Sequence, residues 1–347
     1  MINDEQRKMI QQEVLTALGS CPPLDMIQDN DEYIRFDERE KRRGNQNCWL
    51  RVFPYTTRLY WTRGNNRLGK NGVWGHASET GESKRWTAAE WEEFRLQEQK
   101  RKEQKEREQQ KELQKLRTWF KSLPTYGEER EGFKRDGFKF YPHSYLEAKR
   151  LEFSRKAAQV AKVYYEQTGY VDKRSFIPNN RRNPYLVFPI LGSSGLLESV
   201  QIIDNWKNEK HFKSGLPLSG RFYPLLESDS KRNLIFACEG FATGLSIFEA
   251  TNRVTIVCLN CGNLPKGIQG ATTYLLNYWK LKETPREFYR RFVIVADNDR
   301  SRAGEDAAIE ACNELGCSYV LIPDEGMDAN DFHHKYGLKA LGQILNF

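Results

Sequence analysis

The feature that most constrains the fold is an alternation of apolar runs with amphipathic stretches from Asn233 onward. The apolar runs "LIFAC", "VTIVC", "RFVIVA" and "SYVLI" are separated by segments of helical periodicity such as "ATGLSIFEATN" and "AGEDAAIEACNELG". Continuous apolar strands that alternate with helices are typical of a parallel sheet with helices on both faces. The sequence therefore predicts an α/β domain over residues 233–347.

The chain before this domain divides by composition into three further segments. Short β-like runs with tight turns predict a small α+β module in residues 1–87. Residues 88–120 consist of charged helix formers with few apolar positions, which predicts a long helical spacer in solvent. A helical connection and a β-rich subdomain are predicted in residues 121–232.

Charge is distributed unevenly along the 347 residues. The net charge is −1 over residues 231–347 and +8 over residues 1–230. A basic flank beside a region of clustered acids suits a polyanion, although +8 is also an ordinary solubility charge. The N-terminus has no apolar signal segment and no apolar run is long enough to span a membrane, so a cytoplasmic protein without membrane contact is expected.

The seven cysteines indicate reduced thiols rather than a disulfide framework. Cys258 and Cys261 form a single "CLNC" pair, and no second pair stands at a matching spacing. A zinc site is therefore not expected.

Acidic residues stand where two of the predicted strands end. Glu239 follows "LIFAC", and Asp297 and Asp299 follow "FVIVA". In parallel sheets the polar site residues gather at the carboxyl ends of the strands. Clustered carboxylates favour a hard cation such as Mg²⁺ or Mn²⁺. The alternative is structural: Asp297 caps the next helix, or Asp299 starts a turn.

Together the motifs "CEGFATGLSI", "IVADND" and "PDEGMDANDF" resemble the Toprim domain of bacterial-type primases, topoisomerases and some nucleases. The resemblance implies that Asp297 and Asp299 bind a divalent metal, with a two-metal site, and that Glu239 takes part in catalysis. Whether Glu239 is a metal ligand or the acid/base group stays open. Asp328 and Asp331, in an element similar to "G-x-D-x-N-D", are implied as further metal-site residues.

The segment "RNPYLVFPILGSSGLLESVQIID" with "KHFKSG" and "GRFYPL" resembles the basic β-rich part of primase catalytic cores, and the order of the preceding segments is similar to phage, plasmid and mobile-element primases. One departure is Ser219, which stands where replicative primases tend to have a lysine. Phosphate contacts of template or nucleotide are expected from the basic residues of this region: Arg181, Arg182, Lys210, Lys213 and Arg221.

These observations predict a DNA primase that makes short primers on a single-stranded DNA template from nucleoside triphosphates, with a separate helicase as a further partner. Two alternatives use the same residues differently. A Toprim nuclease would cleave phosphodiesters with water, and a non-catalytic module would only bind nucleic acid. Topoisomerase activity is disfavoured because 347 residues leave little room for gate domains.

Overall fold

The computed structural model describes residues 2–28, 32–37, 48–53, 59–65, 70–77, 88–135, 142–164, 185–204, 207–226 and 231–345. The chain forms two compact units, Met1–Arg101 and Lys102–Phe347. The four-segment division expected from composition is finer than this and stays a prediction. None of the described helices is both long and apolar enough to cross a membrane.

In the first unit, one helix covers one face of an antiparallel sheet. Helix α1 spans Asp4–Leu18; it begins with a capping box between Asn3 and Gln6 and ends at Gly19 in the left-handed conformation. The sheet has the order β1-β2-β3-β4. Its strands are β1 (Tyr33–Phe36), β2 (Cys48–Phe53), β3 (Leu59–Asn65) and β4 (Lys70–Ala77). Alternate residues of β1 and β2, such as Ile34 and Leu50, pack with α1 in a small core, as the predicted α+β module requires.

Helix α2 (Ala88–Ser122) is the predicted charged helix, and it runs slightly past its predicted end. Residues 102–108 are exposed, as expected for a helix without an apolar stripe. The last turns of α2 are not fully exposed as those of a free spacer would be. Leu113 and Leu116 are buried against Val187 and Val200 of the following β segment.

The second unit continues with short helices and a second antiparallel sheet. The helices are α3 (Tyr126–Arg135), α4 (Ser144–Ala148) and α5 (Arg155–Val160). The sheet has the order β5-β6-β7-β8, formed by Lys162–Tyr164, Tyr185–Leu191, Leu197–Ile203 and Lys210–Phe212. This is the predicted β-rich subdomain.

The C-terminal α/β part is built on a five-stranded sheet of order β13-β12-β10-β11-β9. Its strands are β9 (Tyr223–Leu225), β10 (Lys231–Cys238), β11 (Arg253–Val257), β12 (Phe292–Ala296) and β13 (Ser318–Leu321). Its helices are α6 (Phe241–Thr251), α7 (Leu264–Tyr278), α8 (Pro285–Tyr289), α9 (Ala303–Leu315), α10 (Ala329–Tyr336) and α11 (Leu338–Ile344). Two apolar clusters enclose the sheet: one includes Phe241 and Leu245, and the other includes Ile268 and Ala308.

The sheet is parallel across β11, β10, β12 and β13, as the apolar runs predict. Strand β9 differs, because it pairs antiparallel with β11 and makes the sheet mixed. Just before β9, Phe222 bridges Leu191 of β6. The two sheets of this unit are therefore linked through one short stretch of chain.

Candidate metal centre

Glu239 and Asp297 lie at the same edge of the mixed sheet because the strands that carry them are parallel neighbours. In the register of β10 and β12, Ala237 is opposite Ile294. Glu239 lies two residues beyond Ala237, and Asp297 lies three residues beyond Ile294. This register places both acids at the same edge of the sheet, which is where the sequence predicts them to lie.

The loop after β12 is fixed by the start of α9. Asp299 accepts hydrogen bonds from the Ser301 hydroxyl (2.5 Å) and from the backbone N–H groups of Ala303 and Gly304 (both 3.3 Å). These donors lower the pKa of the Asp299 carboxyl, with the Ser301 hydrogen bond as the largest cause. The helix-terminus contacts that the structural alternative assigned to Asp297 are thus made by Asp299, which also lies beside Glu239 and Asp297.

Asp328 approaches the same place from the N-terminus of α10. Its Oδ1 caps the helix by accepting the N–H of Asp331 at 2.7 Å, and its Oδ2 accepts the Thr243 hydroxyl at 3.2 Å. The loop before α10 is joined to the Asp297 loop by the N–H of Asn298, which donates to the Met327 carbonyl at 3.0 Å. Asp328 therefore belongs to the acidic group, with one oxygen used as a helix cap.

The carboxylates influence one another strongly. Burial is the largest cause that raises the pKa of Asp297 to about 8, and Asp328, Glu239, Asp299 and Asp331 contribute in that order. Burial and then Asp299 raise the pKa of Glu239; the N–H of Cys261 opposes the shift, and Asp328 adds to it. Like charges in a poorly solvated place favour the neutral acid unless a cation joins them.

One further observation indicates that these acidic residues could bind a divalent cation. Asp297 Oδ1 is buried and has no hydrogen-bond donor among the described residues. A buried carboxylate oxygen without a partner costs free energy of folding, and binding a hard metal ion would give this oxygen a partner. Glu239, Asp297, Asp299 and Asp328 are the side chains that could hold it, and Asp331 lies nearby.

The acids are not drawn tightly together in this structure. Within the described ranges, the three-residue group whose ligand atoms lie within 4.8 Å of one another is a different one, Asp204, Glu209 and His211. Asp204 accepts the backbone N–H groups of Lys207 and Glu209, so its carboxylate shapes the turn before β8. The acids around Asp297 would have to close by side-chain rotation around an ion.

Of the five basic candidates, Lys210 lies beside the acids. Burial lowers its pKa most, Lys149 lowers it further, and Asp328 and Asp297 oppose the shift. Its ammonium lies 5.5 Å from the centre of the Tyr145 ring. The Lys210 residue as a whole is exposed, with its ammonium near the Tyr145 ring and on the side of the acids.

The other candidates lie elsewhere or are already paired. Lys213 follows β8 and lies on the side of Glu112; the pKa of that carboxyl is lowered first by the hydrogen bond and charge of Lys115, with Lys213 as a minor further cause. The Arg221 guanidinium pairs with Glu198 at 2.8 Å and donates to the Ser219 carbonyl. Arg181 and Arg182 lie outside the described residues.

The sequence reasoning missed two residues beside the site. Lys149 Nζ is 3.3 Å from Asp331 Oδ1, and the Thr243 hydroxyl reaches Asp328 as described above. No sequence signal pairs Lys149 with an acid 182 positions later. Thr243 could have been suspected, because it lies in the first turn of the helix that follows Glu239.

Cys258 and Cys261 of "CLNC" are not joined in a disulfide. Cys258 is buried at the end of β11, and Cys261 is half-buried. The N–H of Cys261 contributes a hydrogen bond to Glu239. This loop therefore helps to orient an acid of the candidate metal centre.

Comparison with known proteins identifies the part of the chain that carries these acids. Residues 234–339 match the family model described as the Toprim domain. The search of curated proteins found no match.

Solved structures similar to the chain include three primases. The DnaG primase catalytic domain bound to ssDNA is 16% identical over 70% of this chain and 81% of that one, with a TM-score of 0.44. The Aquifex aeolicus primase, comprising zinc-binding and RNA polymerase domains, is 12% identical over 100% and 85%, with a TM-score of 0.37. The primase fragment of the bacteriophage T7 primase-helicase protein is 13% identical over 58% and 69%, with a TM-score of 0.36.

The family match spans the strand tips, the Asp297 loop and the start of α10, which are the elements that bring the acids together. The C-terminal part of the chain, residues 234–339, is a Toprim domain.

Proposed function

We propose that the chain is a DNA primase that joins nucleoside triphosphates on a single-stranded DNA template. The observation that carries the proposal is a lysine from the β-rich sheet beside the Toprim acids. Lys210 lies close enough to Asp297 and Asp328 for both carboxylates to affect its pKa. A site that must hold both metal ions and a triphosphate needs cationic and anionic groups side by side.

The acids would hold magnesium or manganese, with Asp297 as the central ligand because its Oδ1 is buried without a donor among the described residues. Glu239, Asp299 and Asp328 flank it, and Asp331 is an outer candidate that is shared with Lys149. Divalent ions at such a site stabilise charge on the transferred phosphoryl group and lower the pKa of the attacking hydroxyl. Glu239, whose own pKa is raised, would either ligate an ion or receive the proton of that hydroxyl.

Lys210 and Lys149 would bind the phosphates of the incoming nucleotide. Lys149 pairs with Asp331, and Lys210 lies near Asp297 and Asp328. An arriving triphosphate would become the partner of both ammonium groups when metal ions bind the carboxylates. Arg181, Arg182, Lys213 and Arg221 are proposed for the template, and a separate helicase would supply the single strand. Arg221 would have to leave Glu198 to take that role.

A Toprim nuclease would need the same acids but not a phosphate-binding lysine on the adjacent sheet. The test is unprimed synthesis on circular single-stranded DNA, with labelled ribonucleotides or deoxyribonucleotides in Mg²⁺ and in Mn²⁺. We expect short labelled products that require template, metal and triphosphates. Loss of the circular template without labelled products would favour the nuclease and contradict the proposal.

A further inference from the structure

A pair of cysteines lies outside the metal centre, at the end of α9. The Cys317 thiol donates to the sulfur of Cys312 with an Sγ to Sγ distance of 3.5 Å. Cys312 lies in the last turn of the helix, and Cys317 lies immediately before β13. Both thiols are only partly buried, so small molecules can reach them.

The helix end explains why the two sulfurs meet. Gly316 adopts the left-handed conformation (φ 75°), and its N–H donates to the Cys312 carbonyl at 2.8 Å. In this type of helix ending, the side chain three positions before the last helical residue contacts the residue that follows the glycine. These two positions are Cys312 and Cys317. That contact is usually apolar, and here both of its positions carry a thiol.

We propose that Cys312 and Cys317 are an oxidation site that forms an intramolecular disulfide with hydrogen peroxide as the oxidant. The sulfurs must approach by about 1.5 Å to reach the roughly 2.05 Å bond length of a disulfide. Rotation of the two side chains within the turn supplies this movement, because the backbone already holds them together. The inference does not rest on the proposed primase activity.

The reaction is balanced in two steps. The Cys312 thiolate attacks one oxygen of the peroxide, the O–O bond breaks, and the departing hydroxide takes a proton to become water, which leaves a sulfenic acid on Cys312. The Cys317 sulfur then attacks the Cys312 sulfur while its own proton passes to the departing hydroxide. Two thiols are oxidised to one disulfide, and one peroxide is reduced to two waters.

The surroundings favour Cys312 as the first sulfur to react. The S–H of Cys317 lowers the pKa of the Cys312 thiol, and partial burial opposes this. The thiols of Cys258 and Cys238 are fully buried, and burial raises their pKa. Half-buried Cys261 also has a raised pKa, first from burial and then from Glu239. Reactivity follows thiolate content and access together.

The test uses the full chain and a protease that cuts between the two cysteines. Glutamyl endopeptidase cleaves after Glu314, so peptides that contain Cys312 and Cys317 separate unless a disulfide joins them. The protein is treated with a small excess of hydrogen peroxide, and its remaining thiols are blocked with N-ethylmaleimide before digestion and mass spectrometry. We expect one joined peptide pair that separates with dithiothreitol.

Variants decide between this pair and its neighbours. Cys312→Ser and Cys317→Ser should abolish the joined peptides, whereas Cys261→Ser should leave their yield unchanged. The oxidised wild type should melt about 2–4 °C higher than the reduced protein, because the bond closes a short loop, and Cys312→Ser should lose this shift. Absence of joined peptides, or joining of Cys317 to the peptide of Cys258, would overturn the proposal.

Discussion

Asn298 donates its backbone N–H to the carbonyl of Met327 at 3.0 Å, and its own carbonyl accepts the N–H of Gly326 at 2.6 Å. This pair of bonds makes a short antiparallel bridge between the loop of Asp297 and the loop that ends at Asp328. The Asn298 side chain also donates to the Ile322 carbonyl at 2.9 Å. The residue between the two aspartates thus secures the loop that positions them, although it is not an acid.

The metal ligands can be tested by removing their charge. Asp297→Asn and Asp299→Asn should each lower primer synthesis by more than about 100-fold, because each removes a proposed metal ligand. DNA binding should persist, since no positive charge is lost. Calorimetric titration with Mn²⁺ is the direct measurement, and Asp306→Asn, exposed on α9, is the matched control. Undiminished Mn²⁺ affinity in folded Asp297→Asn would exclude that residue as a ligand.

Glu239→Gln separates the two proposed roles of Glu239. An acid/base role predicts a fall in kcat of about 10²–10⁴-fold with little change in nucleotide KM or metal affinity. A ligand role predicts weaker metal binding and partial recovery in excess Mn²⁺. Near wild-type synthesis would remove Glu239 from the chemistry and leave it as the residue before the α6 N-cap.

The raised pKa of Asp297 predicts how stability changes with pH in the metal-free protein. Between about pH 4 and pH 8 the folded state holds a proton on Asp297 that the unfolded chain has lost, so the contribution of this group to stability falls as the pH rises. Urea unfolding in EDTA at pH 5, 6.5 and 8 measures this loss. It should be much smaller in Asp297→Asn and unchanged in Asp306→Asn. The same pH dependence in wild type and in Asp297→Asn would show that the pKa of Asp297 is not raised in the folded protein.

Gly304 is required by close packing at the start of α9. A Cβ at this position would lie 2.8 Å from the Asp297 carbonyl oxygen, so Gly304→Ala must displace the loop. We expect a loss of about 1–3 kcal/mol in stability and a larger proportional loss of synthesis. Gly262→Ala, also near the site, would bring its Cβ no closer than 3.6 Å to Asn260 and is the control. Equal thermal melts and equal rates for both variants would contradict this packing argument.

Lys210→Gln tests the phosphate contact. Loss of a charge-assisted hydrogen bond should raise the nucleotide KM by about 10–100-fold with a smaller effect on metal affinity. Steady-state synthesis at varied nucleotide concentration gives this value, with exposed Lys266→Gln on α7 as the control. A KM that stays within about twofold of wild type would place the nucleotide phosphates elsewhere.

The sequence predicts the positions of the catalytic candidates better than their partners. Glu239 and Asp297 could be placed at one edge because parallel neighbouring strands expose their carboxyl ends together. The pairing of Lys149 with Asp331 could not, because it depends on tertiary packing between the end of α4 and α10 and not on any local pattern. The sequence assigned "GRFYPL" to the β-rich segment, whereas strand β9 within it belongs to the Toprim sheet. Its three residues are too few for a periodic signal, and tertiary pairing with β11 determines its place.

That short strand also determines where this Toprim domain can be separated from the rest of the protein. A fragment that starts at Asn233 would leave the backbone groups of Thr255, Ile256 and Val257 without their antiparallel partners. It would also uncover the apolar core under Phe222, which is fully buried. Unpaired apolar edges recruit other chains, so such a fragment should self-associate, whereas one that includes Tyr223–Leu225 retains its edge strand. Recombination that exchanged Toprim domains between proteins would therefore have to carry this strand along.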